Sequence, residues 1–240
     1  MQAWLDALLA VLLAPVCAAC GRPLPHPTRG CVCQTCWSAL TPVSLPACTA
    51  CGGALTPSAS TALTRCAGCL RHPPVVDQAR ALGEHDGSLR AIVHAFKYGG
   101  HRSLARPLAE RMRVAGAALL AESQAVVAVP LHGSRRRRRG FNQSADLARH
   151  LGLPVVDALA RVRETSTQTA LPADERRANV AGAFRPTRRA GALRGRTVLL
   201  VDDVRTTGAT RFTMNMFARA SGGCLNMSPR WWRPALFTTR

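Results

Sequence analysis

Two aspartates, Asp202 and Asp203, stand side by side at the end of the apolar run from Val198 to Val201, and Thr206, Thr207, Gly208, Ala209 and Thr210 follow. The chain has only 13 acidic residues, so placing two together needs a reason. Adjacent carboxylates repel each other and add nothing to a helix cap. They are well suited to accepting hydrogen bonds from two neighbouring sugar hydroxyls. A glycine set among small hydroxyl residues lets backbone N–H groups and hydroxyls surround a phosphate where a helix begins. Acidic pair and loop together describe a site for a ribose 5-phosphate. The plainer alternative is a strand followed by a helix capped at Thr206 or Thr207.

Cysteine supplies a second chemistry. Eight of the ten cysteines form four C-x-x-C pairs: Cys17 and Cys20, Cys33 and Cys36, Cys48 and Cys51, Cys66 and Cys69. A two-residue loop turns both sulfurs toward one point, and two such knuckles supply the four thiolates of a tetrahedral zinc site. The simplest assembly is sequential, with the first two pairs on one ion and the last two on another; an interleaved pairing fits the spacing too. Between the knuckles lie mostly Pro, Thr, Ala and Ser, so metal is expected to hold this module together. Unpaired thiols at metal spacing point to a reducing compartment, hence the cytoplasm.

The elements that position these groups follow from hydrophobic periodicity. Trp4, Leu5, Leu8, Leu9 and Leu12 recur at helical spacing before Pro15, which predicts a short amphipathic helix packed on the body. The run lacks a basic start, carries Asp6 and is too short to span a bilayer, so no stable membrane insertion is expected. Leu89, Ile92, Val93 and Phe96 predict a helix that "YGG" ends, and a second helix is expected from about Ser103 to Leu120. "AVVAVPLH" reads as a buried strand, "SADLARHLG" as a helix, "PVV" as a short strand and "TVLLVDDV" as another strand. The polar stretch from Arg161 to Asn179 is expected to be a loop near the site. Strands alternating with helices predict an α/β fold with a parallel sheet covered on both faces, whose ligands sit at the carboxyl ends of the strands. The expected domains are 1–74, with the first helix and two zinc ribbons, and 75–240.

Charge narrows the partners. The formal net charge is +19, and Lys97 is the only lysine beside 31 arginines. Such an excess favours polyanions, and "RRRRR" at Arg135 to Arg139 concentrates it. An arginine-rich codon bias and a solvated turn are the plainer alternatives. Aromatic residues are only 5% and do not interleave with the basic run, so no base-stacking platform is legible.

The segment "VLLVDDVRTTGAT" resembles the phosphoribosyl-pyrophosphate signature of type I phosphoribosyltransferases. With the cysteine knuckles, "LRAIVHAFKYGGHRSLA", "VPLHGSRRRRRGFNQSADLA" and "RETSTQTALPADERRANVAGAF", the chain resembles the ComF family, competence-associated proteins related to GntX, over roughly residues 10 to 210. The resemblance implies a double zinc ribbon before a phosphoribosyltransferase-like domain, and a role in handling incoming single-stranded DNA in natural transformation. Asp202 and Asp203 match the catalytic acidic pair, and Thr206, Thr207, Gly208, Ala209 and Thr210 match the 5-phosphate loop. His132 and Arg135 fall where related enzymes contact pyrophosphate, and Lys97 and Tyr98 match a "K-Y" element. Magnesium would accompany phosphoribosyl pyrophosphate as it binds. Whether such a protein is a transferase, with an acceptor the sequence does not name, is left open. The alternative is a zinc-ribbon adaptor that docks a helicase or DNA-uptake protein and keeps a non-catalytic phosphoribosyl site. After Thr210 the chain departs from the family pattern: a helix is expected over about Arg211 to Ala220, and "SPRWWRPALFTTR" stands where the family has a valine-rich strand.

Overall fold

The structure, a computed structural model, describes residues 2–55, 64–71, 73, 76–164, 182–202, 205–206 and 212–220, the last two stretches as backbone only. Asp203, Thr207, Gly208, Ala209 and Thr210 lie outside the described residues, as do most of the polar stretch after Arg161 and everything after Ala220.

The chain opens with α1 (Gln2–Leu13), then a 3-10 turn over Pro27–Arg29, α2 (Gln34–Ser38) and α3 (Ala67–Arg71). A strand β1 (Gln78–Glu84) leads into α4 (Gly87–Tyr98), α5 (Ala105–Ala115), α6 (Ala117–Ala121) and β2 (Ala125–Ala128). After these come α7 (Gly133–Arg139), α8 (Gln143–Ala148), β3 (Leu159–Arg161), β4 (Phe184–Pro186), β5 (Val198–Val201), β6 (Arg205–Thr206) and β7 (Phe212–Ala220).

The protein is α/β, and its parallel element is small. Strand β2 pairs with β5 in parallel from Ala125–Val198 to Ala128–Val201. Val126 bridges to Val155 in parallel as well, the remnant of the expected "PVV" strand. Alternate residues of β2 and β5 serve two cores. Val126, Leu199 and Val201 join a large cluster with Leu89, Ile92, Phe96, Leu108, Met112 and Leu147, from α4, α5 and α8. Ala125, Val127 and Val198 pack with Ala158 and Leu193 on the opposite face. Burial on both faces is why these strands read as unbroken apolar runs rather than alternating ones.

Three expectations change. The helix over about Arg211 to Ala220 is instead β7, which lies antiparallel between β5 and β1 in the order β1-β7-β5-β2. Phe212, Met214, Met216 and Ala218 alternate with Thr213, Asn215 and Arg219, a period of two that outweighs the helical reading. The helix expected from Ser103 to Leu120 is two helices, because the chain breaks at Gly116 between α5 and α6.

The third change concerns α1. It forms, and Ala14 at φ +41° ends it before Pro15. Most of its apolar side stays open among the described residues: Trp4 is 84% exposed, Leu5, Leu8, Val11 and Leu12 are exposed as well, and Leu9 is half-buried. The one buried residue of α1 is Asp6. Its Oδ1 accepts from the Thr28 N–H at 2.9 Å and from the Thr28 hydroxyl at 2.7 Å, while His26 Nδ1 lies 3.4 Å from Oδ2. The Thr28 N–H, then its hydroxyl, hold the Asp6 carboxyl below its ordinary pKa. The helix is thus anchored by its single acid. No helix among the described residues is long and apolar enough to cross a membrane.

Candidate functional site

The cysteines assemble sequentially. Cys17, Cys20, Cys33 and Cys36 form one cluster and Cys48, Cys51, Cys66 and Cys69 a second, with all sulfurs of a cluster within 4.8 Å of one another. Cys17 and Cys36 sulfurs are 3.9 Å apart, Cys20 and Cys33 3.8 Å, Cys51 and Cys66 3.7 Å. Zinc–thiolate bonds of about 2.3 Å arranged tetrahedrally place sulfurs about 3.8 Å apart, so the donor sets match that ion.

The two clusters are built alike, step by step. Cys17 N–H donates to the Arg22 carbonyl at 2.7 Å and Cys48 N–H to that of Gly53 at 2.8 Å. Gly21 N–H returns to the Cys17 carbonyl and Gly52 N–H to that of Cys48, with both glycines at positive φ. Cys33 N–H points at Cys17 Sγ and Cys66 N–H at Cys48 Sγ, each at 3.3 Å. Donors of this kind favour thiolate over thiol. Burial raises the Cys17 pKa, but the N–H groups of Cys33, Cys20 and Ala19 outweigh it and bring it to about 6. The Cys51 thiol, then the N–H groups of Cys66, Cys51 and Ala50, bring Cys48 down to about 4 against the pull of burial.

Cys31 stands outside both clusters for a structural reason. Its carbonyl accepts from Ala18 N–H at 2.8 Å, the place Thr64 fills beside Thr49 in the second ribbon. The ribbons differ in support. Cys17, Leu24, Val32 and Cys36 join the large core, and the Arg111 guanidinium lies 3.8 Å over the Trp37 ring. The second cluster is a separate small core of Cys48, Ala50, Cys51 and Cys69.

The other chemistry gathers at the carboxyl edge of β2 and β5. Asp202 leaves β5 half-buried, and Ser144 Oγ donates to its Oδ1 at 3.4 Å. Ser144 is placed by α8, whose N-cap Asn142 accepts from Ser144 N–H at 3.2 Å and ties itself to the Val129 carbonyl at 3.1 Å. On the β2 side, "RRRRR" is a helix rather than a turn, ended by Gly140 in the left-handed region. His132 caps α7, its Nδ1 2.9 Å from Ser134 Oγ. Ser134 Oγ also donates to Glu164 Oε1, and His132 Nδ1 lies 3.7 Å from Glu164 Oε2. Arg161, the last residue of β3, lies 5.2 Å over the Phe184 ring of β4. Its own burial, then the charge of Arg135, lowers its pKa, while Asp202 and Glu164 raise it. The electrostatic reach of Arg161 therefore takes in Arg135, Asp202 and Glu164.

His132, Arg135 and Asp202 are thus drawn to one edge. Lys97 is less direct: it lies in the last turn of α4, beside Tyr98, whose hydroxyl accepts from Arg139 Nη2 at 2.8 Å. That hydrogen bond staples α4 to the far end of α7. Of Thr206 only the backbone, in β6, is described. Ser134, Ser144, Arg161 and Glu164 were not singled out by sequence reasoning. "HGS" and "NQS" each place a hydroxyl beside a cap residue, a faint signal for the two serines; Arg161 opens the polar stretch expected near the site, and Glu164 lies in the segment that resembles the family, but neither has a role assigned by its spacing.

A double zinc ribbon on a small α/β sheet, with a charged edge where the parallel strands end, is the class these features define. A family model described as "Double zinc ribbon domain" matches residues 8–70. The chain is 34% identical over 163 residues to "Competence protein F" of Haemophilus influenzae, covering 64% of this chain and 71% of that protein. It is 31% identical over 154 residues to "DNA utilization protein YhgH" of Escherichia coli K12, covering 59% of this chain and 65% of that protein. Its Salmonella typhimurium counterpart is 34% identical over 151 residues, covering 59% of this chain and 65% of that protein. The chain belongs to the ComF family.

Proposed function

We propose that this protein binds phosphoribosyl pyrophosphate at the carboxyl edge of β2 and β5 and acts in the uptake and handling of single-stranded DNA. One observation carries the reading: Asp202 leaves β5, and His132, Ser134 and Arg135 follow β2, where the two parallel strands end, with Arg161 electrostatically linked to Asp202 and Arg135. That edge is where ligands of parallel sheets bind. Asp202 and Asp203 would accept from the ribose hydroxyls, and Thr206 to Thr210 would hold the 5-phosphate. His132 and Arg135 would meet the diphosphate, Lys97 at the end of α4 is a further candidate for it, and magnesium, bound with the ligand, would neutralise part of its charge. The DNA half of the proposal is supported by the names of the Haemophilus and Escherichia relatives and by the net charge of +19. If the protein transfers the phosphoribosyl group, positioning and charge neutralisation around an oxocarbenium-like transition state do most of the work.

The test is to titrate phosphoribosyl pyrophosphate with magnesium, and a single-stranded oligonucleotide, separately into the purified protein. Heat from both is expected. The adaptor alternative forecasts no response to the oligonucleotide and capture of a helicase or uptake protein instead.

A further inference from the structure

Glu164 has no evident packing role. Its side chain is 59% exposed, and its polar contacts run to the loop after β2. Ser134 donates a hydrogen bond to one carboxylate oxygen, and the His132 ring faces the other at 3.7 Å. The Ser134 hydrogen bond, then the charges of His132, Arg135 and Arg137, hold the carboxyl below its ordinary pKa. Two oxygens held by a hydroxyl, an imidazole and nearby guanidiniums are what a phosphate group would present to the same donors. In a chain with 13 acids among 240 residues, one of them faces this set of donors.

We propose that the Glu164 carboxylate is a built-in occupant of the diphosphate position at His132, Ser134 and Arg135, which the ligand must displace. The inference rests on the reading above that this loop receives the diphosphate. Displacement exchanges one anion for another: Ser134 Oγ turns its proton from Glu164 to a phosphate oxygen, and the carboxylate swings into water. Because Glu164 is exposed, little packing is disturbed when it leaves. While Glu164 stays, its charge repels the incoming phosphate. Its effect is to lower affinity for free diphosphate, and to admit ligands whose ribose is also held on the Asp202 side.

The experiment is calorimetric titration of inorganic pyrophosphate, and separately of phosphoribosyl pyrophosphate, both with magnesium. The proteins are wild type, Glu164→Gln and Glu164→Ala, their folding checked by zinc content and circular dichroism. Both variants should bind inorganic pyrophosphate about fivefold tighter, the weight of one unit charge about 4 Å away at a water-exposed site. Glu110→Gln removes the same charge from α5, where Glu110 pairs with Arg106 at 3.0 Å, and should change nothing. Equal or weaker pyrophosphate binding in both Glu164 variants, with phosphoribosyl pyrophosphate bound by all forms, overturns the competitor and leaves the binding site. Tighter pyrophosphate binding in the variants, with no form binding phosphoribosyl pyrophosphate, keeps the competitor and removes the phosphoribosyl reading. No heat from either anion in any form removes both.

Discussion

At the level of single residues, the proposed phosphoribosyl site depends on how Asp202 is held. Its carboxylate sits half-buried at the end of β5 with Ser144 Oγ as a donor, and Arg161 lends positive charge from the other side. The Ser144 hydrogen bond orients the carboxylate before any sugar arrives, so less ordering is left for binding to supply. Asp202→Asn should weaken phosphoribosyl pyrophosphate by about 1.5–3 kcal/mol in a calorimetric titration, since a hydrogen bond to a charged group is removed. Ser144→Ala should cost about 0.5–1.5 kcal/mol in the same titration, through a freer Asp202. A larger penalty in Ser144→Ala than in Asp202→Asn would put the serine, not the aspartate, against the ligand. The acid pair stands out in the sequence because it breaks the expected pattern of a strand end, and the structure describes Asp202 of it, directly after β5. Glu164 and Arg161 lie in the polar stretch expected near the site, but their partners are not legible there, because Ser134, His132 and Phe184 reach them only through the tertiary fold.

Among the elements, the ribbons show how much metal spacing alone can say. Four C-x-x-C pairs foretold both clusters, and the sequential assembly matches them. What spacing could not say is how each ribbon is supported, because burial of Leu24 and Val32 against α4 and α5 is a tertiary property. Two zinc ions per chain are expected by elemental analysis of protein purified without chelator. Cys33→Ser should forfeit about one equivalent of zinc, as expected for a site short of one of its four thiolates. Cys31→Ser should keep both ions, since Cys31 contributes a carbonyl where Thr64 stands in the other ribbon. Depletion of metal in Cys31→Ser would contradict the assignment of ligands. Gly52 offers an independent check. A Cβ there would lie 2.6 Å from the Ala79 carbonyl of β1, at a φ of +67° that side chains rarely adopt. Gly52→Ala should therefore loosen the second ribbon from β1, costing about 1–3 kcal/mol of stability in a thermal melt. The helices were read well where their apolar faces meet the core, as in α4. The expectation changes at α1, whose apolar face is mostly exposed among the described residues, and at β7, where the alternation outweighs the expected helix.

Across the whole molecule, part of the charge of +19 is gathered on one helix. Arg136, Arg137 and Arg138 are exposed on α7, while Arg139 is committed to Tyr98 and Gln143. If the exposed three meet phosphates, binding of single-stranded DNA should weaken steeply with salt and depend little on sequence. Replacing them with glutamine should flatten the plot of log affinity against log salt by about 0.7 for each phosphate no longer neutralised. An unchanged slope would move the DNA site elsewhere on the molecule. Binding of phosphoribosyl pyrophosphate is a narrower matter and is decided at the carboxyl edge of β2 and β5. Isothermal titration of that ligand, with magnesium, into wild type, Asp203→Ala and Gly208→Val addresses it without intermediaries. One saturable site is expected in the wild type, weakened in Asp203→Ala and abolished in Gly208→Val, where a side chain would fill the space of the 5-phosphate. Binding that survives both substitutions in folded protein, or no binding by the wild type, would contradict a phosphoribosyl site at this edge.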